Sequence, residues 1–318
     1  MRGVLVTGAT TPFGCALVET LLAHESVSSV IAVAHSPEWP GRADPKLTYV
    51  ATDLTRSRNL RVLLFGLARD RGTDVVVDSA HHRSVRARGK WAHALNVEAT
   101  RELLALAERH PTIRRLVYVG SAEIYQVDAE LPATIGEDHP LDMSPELPQR
   151  VRDRLEADLT VCTRMGLSPL SIAVLRLSEI VAPASGSQLV DYLSSRVCYR
   201  PVGYDPMLDV ISIPDAVDAT VRACGSTAQG VFNVPGADVL PLSVAIAKTG
   251  RLGIAVPPPA LGPLYAARAL VRGTEFEWAL HRRRFRWSAV LDGARAAEVL
   301  GYHPARPISW PSLGARAS

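Results

Sequence analysis

Cysteine is scarce and unpaired in this sequence. Only Cys15, Cys162, Cys198 and Cys224 occur, none in a Cys-x-x-Cys arrangement and none beside a His at ligand spacing. That pattern argues against a disulfide framework and a Cys/His metal centre, so no metal site is expected. The four read as buried, small apolar side chains in a reducing compartment. Long hydrophobic runs are missing too. No apolar stretch approaches the ~20 residues that span a bilayer. The first strand pattern has no charged and apolar leader before it. A soluble, cytoplasmic chain without a membrane partner is expected. Charge imbalance is slight, with a formal net charge of +3 over 318 residues, which gives no argument for nucleic acid. One local basic run, His281 to Arg286 (HRRRFR), reads as a solvated face or as a phosphate-facing patch. Repeats and low-complexity tracts are absent.

What remains is an alternating pattern. Apolar, β-branched runs at 2–6, 27–34, 47–51, 75–77, 116–119 and 170–177 read as strands. Helical spacing occupies 14–24, 59–68 and 91–110. The stretch 36–46, with Pro37, Pro40, Gly41 and Pro45, reads as a loop. Strands that are apolar throughout and alternate with helices predict a doubly wound parallel α/β sheet covered on both faces. Residues 1–180 are expected to form a dinucleotide-binding Rossmann domain. Residues 181–318 are expected to form a smaller substrate lobe interleaved with the sheet. Val256-Pro257-Pro258-Pro259 reads as an extended linker. A last helix near 294–300 is closed by Gly301.

The first strand runs into Thr7-Gly8-Ala9-Thr10-Thr11-Pro12-Phe13-Gly14 and then a helix. Glycines at such a junction permit a tight turn and close backbone approach to a pyrophosphate at the helix N-terminus. The loop resembles TGxxGxxG of the short-chain dehydrogenase/reductase superfamily, with Gly8 and Gly14 in place and Thr11 at the middle glycine. Further stretches resemble the extended, epimerase/dehydratase-like branch: Asp53-Leu54, Asp74 to Ala80, Asn96 to Thr100, Leu175-Arg176, Asp215-Ala216-Val217 and Gly230 to Val234. The resemblance implies a bound dinucleotide and an unknown small molecule. It places Thr7, Gly8, Thr10, Thr11, Phe13 and Gly14 around the phosphates, His35 and Ser36 at the ribose end of the second strand, and Asp53 and Leu54 at the adenine. Ser79, Ala80 and Asn96 complete the cofactor-binding set with Arg154. Thr11 and His81 are expected to crowd the cofactor. No carboxylate follows the second strand before Glu38, which leans toward NADP over NAD.

That family uses a Tyr as proton donor or acceptor, a Lys one helical turn later, and an earlier Ser. Ser121 matches the Ser. In the helix slot, however, stand Arg150 and Arg154, and no Tyr lies between Tyr125 and Tyr192. A guanidinium stays protonated near neutrality and cannot replace the phenol as an acid or base. Loss of a proton-transfer group typically removes ~10²–10⁴-fold in rate. The substitute catalytic candidates are Ser121, Glu123 and Tyr125. Three readings follow: a cofactor-binding relative without standard hydride transfer, acting as a partner or sensor; an active epimerase, dehydratase or reductase working through Ser121 and Glu123; or an interaction protein with an empty cleft. The resemblance also implies a homodimer, or a heterodimer with an active relative, through helices near 91–109 and 147–165.

Overall fold

Each short apolar run can bury both faces only by joining a sheet with helices above and below it, and the chain does so. The computed structural model describes residues 1–82, 84, 88–272 and 276–314. The first half comprises β1 (Gly3–Thr7), α1 (Pro12–Ala23), β2 (Ser29–Ala34), β3 (Leu47–Ala51), α2 (Ser57–Val62), β4 (Val75–Asp78), α3 (Lys90–His93), α4 (Ala99–Ala107), β5 (Arg115–Ser121), β6 (Thr134–Ile135), α5 (Gln149–Cys162) and β7 (Ser171–Leu177). Two π-helical stretches, Leu63–Ala68 and Ala94–Glu98, extend α2 and join α3 to α4.

The second half comprises β8 (Glu179–Ile180), α6 (Gln188–Leu193), β9 (Val197–Pro201), β10 (Met207–Ile211), α7 (Ile213–Gly225), β11 (Gly230–Val234), β12 (Asp238–Pro241), α8 (Leu242–Lys248), β13 (Leu252–Val256), α9 (Pro258–Arg272), α10 (Trp278–His281), β14 (Val290–Leu291), α11 (Ala294–Leu300) and α12 (Trp310–Gly314).

Seven parallel strands make the main sheet, in the order β11-β7-β5-β4-β1-β2-β3. The chain winds outward from β1 through β2 to β3, then returns to the other side of β1 with β4. That reversal opens a crevice above the carboxyl ends of β1 and β4, where ligands bind in such sheets. One face of the sheet packs on α1 and α7 around Leu17, Leu21, Val217 and Phe232. The opposite face packs under α2, α4 and α5 around Leu64, Leu103, Leu104 and Val161. A separate core around Tyr192, Tyr265, Phe276 and Phe285 holds much of the second half together. The seventh sheet strand, β11, nevertheless comes from the second half of the chain.

Three expectations need correction. The Pro257–Pro259 stretch is not an extended linker, because α9 begins at Pro258. Proline in a first turn lacks only an N–H that the helix leaves unpaired, and its fixed φ suits the start. Cys15 and Cys162 are half-buried rather than buried, unlike Cys198 and Cys224. Strand β3 lies at the sheet edge, with residues that are half-buried or exposed. The end of α11 is as expected: Gly301 adopts the left-handed conformation, φ 66°. Among the described residues, no helix is long and apolar enough to cross a membrane.

Candidate functional site

The β1–α1 loop is held by its own backbone. Gly8 has a φ of +69°, and a Cβ there would fall 2.7 Å from the Ser79 carbonyl oxygen. A Cβ on Gly14 would fall 2.3 Å from the Gly8 carbonyl oxygen. Both glycines are therefore demanded by the packing of the loop itself. Thr11 is the N-cap of α1, and its Oγ1 accepts the Gly14 N–H at 2.8 Å. The hydroxyl is thus folded back onto the helix it precedes, which satisfies one open donor. Pro12 has no N–H, and the Cys15 N–H donates to the Thr11 carbonyl at 2.8 Å.

Thr7, Ser79 and Ala80, all assigned to the cofactor by resemblance, are occupied in joining β1 to β4. Thr7 Oγ1 donates to Asp78 Oδ1 at 2.7 Å and accepts from the backbone N–H groups of Ser79 and Ala80. Ser79 Oγ donates to the Thr7 carbonyl at 2.6 Å. Thr100 Oγ1 donates to the other Asp78 oxygen at 2.8 Å, so this buried carboxylate is fully engaged. Asn96 accepts the His82 N–H at 2.8 Å and donates to Asp153. His35 is exposed and Ser36 half-buried at the end of β2. Asp53 caps its own turn, accepting from the Thr55 N–H and hydroxyl at 2.9 and 2.7 Å. Leu54 is buried beside it.

At the carboxyl end of β5 the chain turns through one 3-10 turn, Ala122–Ile124, capped by Ser121 Oγ, which accepts the Glu123 N–H. That turn aims Glu123 at α5, where Arg150 and Arg154 lie one helical turn apart and so share a face. Arg154 Nη1 donates to Glu123 Oε2, and Arg150 Nε lies 3.5 Å from the same oxygen. The three side chains are 14%, 10% and 17% exposed for Glu123, Arg150 and Arg154 respectively. Burial opposes ionisation of Glu123, but the guanidiniums of Arg150 and Arg154 outweigh it and hold its pKa down at about 2. The slot that resemblance gives to a Tyr/Lys pair is therefore an ion cluster of one carboxylate and two guanidiniums.

Tyr125 lies elsewhere. It is 2% exposed, donates to Asn233 Oδ1 at 2.7 Å and accepts from Arg176 Nη1 at 3.0 Å. Its hydrogen bonds tie the turn after β5 to β7 and β11, and burial raises its pKa. The basic run divides: Arg282 pairs with Glu146 and Arg283 with Asp142, while His281 and Arg284 line the crevice with Thr11, His81, Tyr118 and the Glu123 cluster. His81 Nε2 lies 3.0 Å from the Val119 carbonyl, which only accepts, so that nitrogen carries the proton. Burial pushes the His81 pKa down, and Arg154 and Arg150 add to this. Burial likewise lowers that of His281. Sequence reading left His281 undistinguished within its run. The signal that could have found it, a His at the head of four basic residues, is also that of an ordinary solvated face.

A doubly wound parallel sheet with a glycine-bearing β1–α1 turn and a polar crevice at its strand ends defines a Rossmann-type dinucleotide-binding fold. The sequence model of the NAD dependent epimerase/dehydratase family matches residues 4–234, and the chain belongs to that family. Uncharacterised proteins of Mycobacterium tuberculosis and Mycobacterium bovis are 29% identical over 313 residues, which is 95% of this chain and 80% of theirs. Among solved structures, UDP-glucuronic acid 4-epimerase of Bacillus cereus in complex with NAD superposes with a TM-score of 0.71 at 17% identity, covering 99% of this chain and 97% of that one. The dTDP-glucose 4,6-dehydratase of Bacillus anthracis in complex with NAD gives 0.70 at 16% identity, covering 99% and 95%. These likenesses concern the fold.

Proposed function

We propose that this protein binds a nicotinamide dinucleotide in the crevice above β1 and β4 and carries out no Tyr/Lys-dependent hydride transfer there, serving as a cofactor-binding partner subunit or redox sensor. The observation that carries the reading is the Glu123–Arg150–Arg154 cluster. Two guanidiniums and a carboxylate with a pKa of about 2 offer no group able to give up a proton near neutrality. The loop suits a pyrophosphate, since its glycines bring backbone close at the N-terminus of α1. Thr11 does not oppose this, because its hydroxyl is turned to Gly14. When bound, the nicotinamide supplies a hydride donor or acceptor. This chain's residues hold it: Arg154 as a cation near the ribose, and Ser121 at the mouth of the crevice. The end of β2, without a carboxylate before Glu38, supports NADP over NAD. Residues 181–318 supply the substrate side of the crevice.

Titration with NADPH and NADH, followed by nicotinamide fluorescence, is expected to show saturable binding of both, tighter for NADPH. Incubation of the loaded protein with UDP-glucose or dTDP-glucose is expected to yield no epimer or dehydrated product. Absence of saturable binding favours the empty-cleft reading. Turnover abolished by Glu123→Gln or Ser121→Ala favours an enzyme using those groups. Pairing through the α4 and α5 faces, as a homodimer or with an active relative, belongs to the same reading. Val97, in the stretch before α4, and Leu103 and Leu104 are buried, so only the outward residues of those helices are available for it. Sedimentation is expected to show dimer at micromolar concentration, and monomer alone counts against self-pairing.

A further inference from the structure

Helix α9 hides one side and bares the other. Leu261 and Tyr265 are buried in the core of the second half. Pro259, Pro263, Ala266, Ala267, Leu270 and Val271 recur at helical spacing on the opposite side, and all are exposed. Leu270 and Val271 are 90% and 83% exposed, more than any other large apolar side chain among the described residues. The neighbouring strand adds to this surface. β13 pairs only with β9, and Ile254 lies opposite Tyr199. The Tyr199 ring meets Tyr265 of α9, with 6.3 Å between centroids, so α9 covers that face of the two-stranded ribbon. Alternation puts Leu252 and Ile254 on the same face, and both are exposed, Leu252 at 60%. Strand and helix thus bare apolar side chains on one side of the ribbon, and patches of that kind mark interaction sites.

Charge selects the partner. From Val239 to Thr274 the chain has no Asp or Glu, whereas Lys248, Arg251, Arg268 and Arg272 are basic. Arg196 joins them, because its carbonyl accepts the Leu252 N–H at 3.0 Å. Arg251 Nε donates to the Leu193 carbonyl, and Arg268 Nη2 to the Asp191 and Tyr192 carbonyls, each at 3.1 Å. These bonds gather cations at the turn from α6 to β9, beside the end of α9 that carries Leu270 and Val271. Arg196 and Lys248 are exposed, and among the described residues neither has a carboxylate within ion-pair distance. The carboxylates of adjoining segments are engaged: Asp191 accepts from Gln188, Asp205 from Ser243, and Glu277 pairs with Arg88. Self-association through this face would bring two sets of cations together, which like-charge repulsion opposes. An anionic bilayer satisfies both the apolar side chains and the cations.

We propose that the α9–β13 face docks on a bilayer carrying anionic phospholipid, with Leu270 and Val271 at the headgroup boundary and Arg196 and Lys248 beside the phosphates. Such a helix lies on a membrane and does not cross it. The expectation of no membrane partner rested on the length of apolar runs, which reads spanning segments only. The contact requires no dinucleotide.

Co-sedimentation of the full chain with phosphatidylcholine vesicles, with and without phosphatidylglycerol, tests it. Binding is expected to be about tenfold or more tighter with phosphatidylglycerol, and to weaken between about 0.1 M and about 1 M salt. Leu270→Glu with Val271→Glu is expected to weaken it by about tenfold or more, as is Arg196→Glu with Lys248→Glu. Leu167→Glu, at an exposed apolar residue in the turn between α5 and β7, is expected to leave it unchanged. All four side chains are exposed, so the variants should keep the wild-type circular dichroism; should one pair fail to fold, the other decides. No binding to anionic vesicles, equal binding to neutral ones, or insensitivity to both pairs of substitutions overturns the proposal. So does a dimer that Leu270→Glu with Val271→Glu dissociates, which would give the face to a second copy. Fluorescence titration with NADPH reads the cofactor separately, so either reading can fail alone.

Discussion

Alanine at Asp158 is expected to lower folding stability by about 3–5 kcal/mol, the usual cost of stripping one partner from a buried ion pair. Asp158 and Arg176 are 1% and 5% exposed, joined by two hydrogen bonds of 2.7 and 3.1 Å. Arg176 also donates to the Tyr125 hydroxyl, which in turn donates to Asn233. Removing the carboxylate leaves a charged guanidinium inside the sheet with only neutral partners. Thermal denaturation at neutral pH should show the loss as a fall of roughly 6 °C in Tm. Exchanging both residues together, Asp158→Leu with Arg176→Met, is expected to cost less than Asp158→Ala alone, because no charge is then stranded. A double variant as unstable as the single one would contradict this account.

Glu123→Gln is the second large effect, and it carries a pH signature. The carboxyl sits at about 2 against an ordinary value of 4.5. At about 1.4 kcal/mol per pKa unit, this depression corresponds to about 3 kcal/mol of stability. Because the folded value is the lower one, that contribution is complete above pH 4.5 and fades as the pH falls toward 2. Glutamine cannot offer it at any pH. Urea unfolding is expected to show the variant about 3 kcal/mol less stable at pH 7, with more than half of the gap closed at pH 3. A gap that stays constant between these pH values would mean that Glu123 is not the counter-charge of Arg150 and Arg154. The same variant leaves two buried cations facing the crevice, so its affinity for any anionic ligand should rise.

Local residue chemistry made much of the fold legible. The β-branched runs that became β1, β2, β4, β5 and β7 were identifiable because strands buried on both faces must be apolar throughout. The junction of β1 and α1 was legible because Gly8 and Gly14 tolerate backbone contacts that no side chain allows. The replacement of the Tyr/Lys pair by Arg150 and Arg154 is likewise a matter of residue identity. Pro257–Pro259 misled, because proline suits a first helical turn as well as an extended segment, and neighbours decide which.

By itself the sequence determined the parallel sheet, the family resemblance and the missing phenol, since each depends on spacing along the chain. Only the tertiary structure decided what fills the vacated slot and who shares the crevice. Glu123 meets Arg150 and Arg154 across 27 and 31 residues, and His281 and Arg284 arrive from a further turn of chain about 120 residues beyond α5. Ion pairing and burial act through space, so the protonation of Glu123 is set only once the sheet brings those segments to one edge.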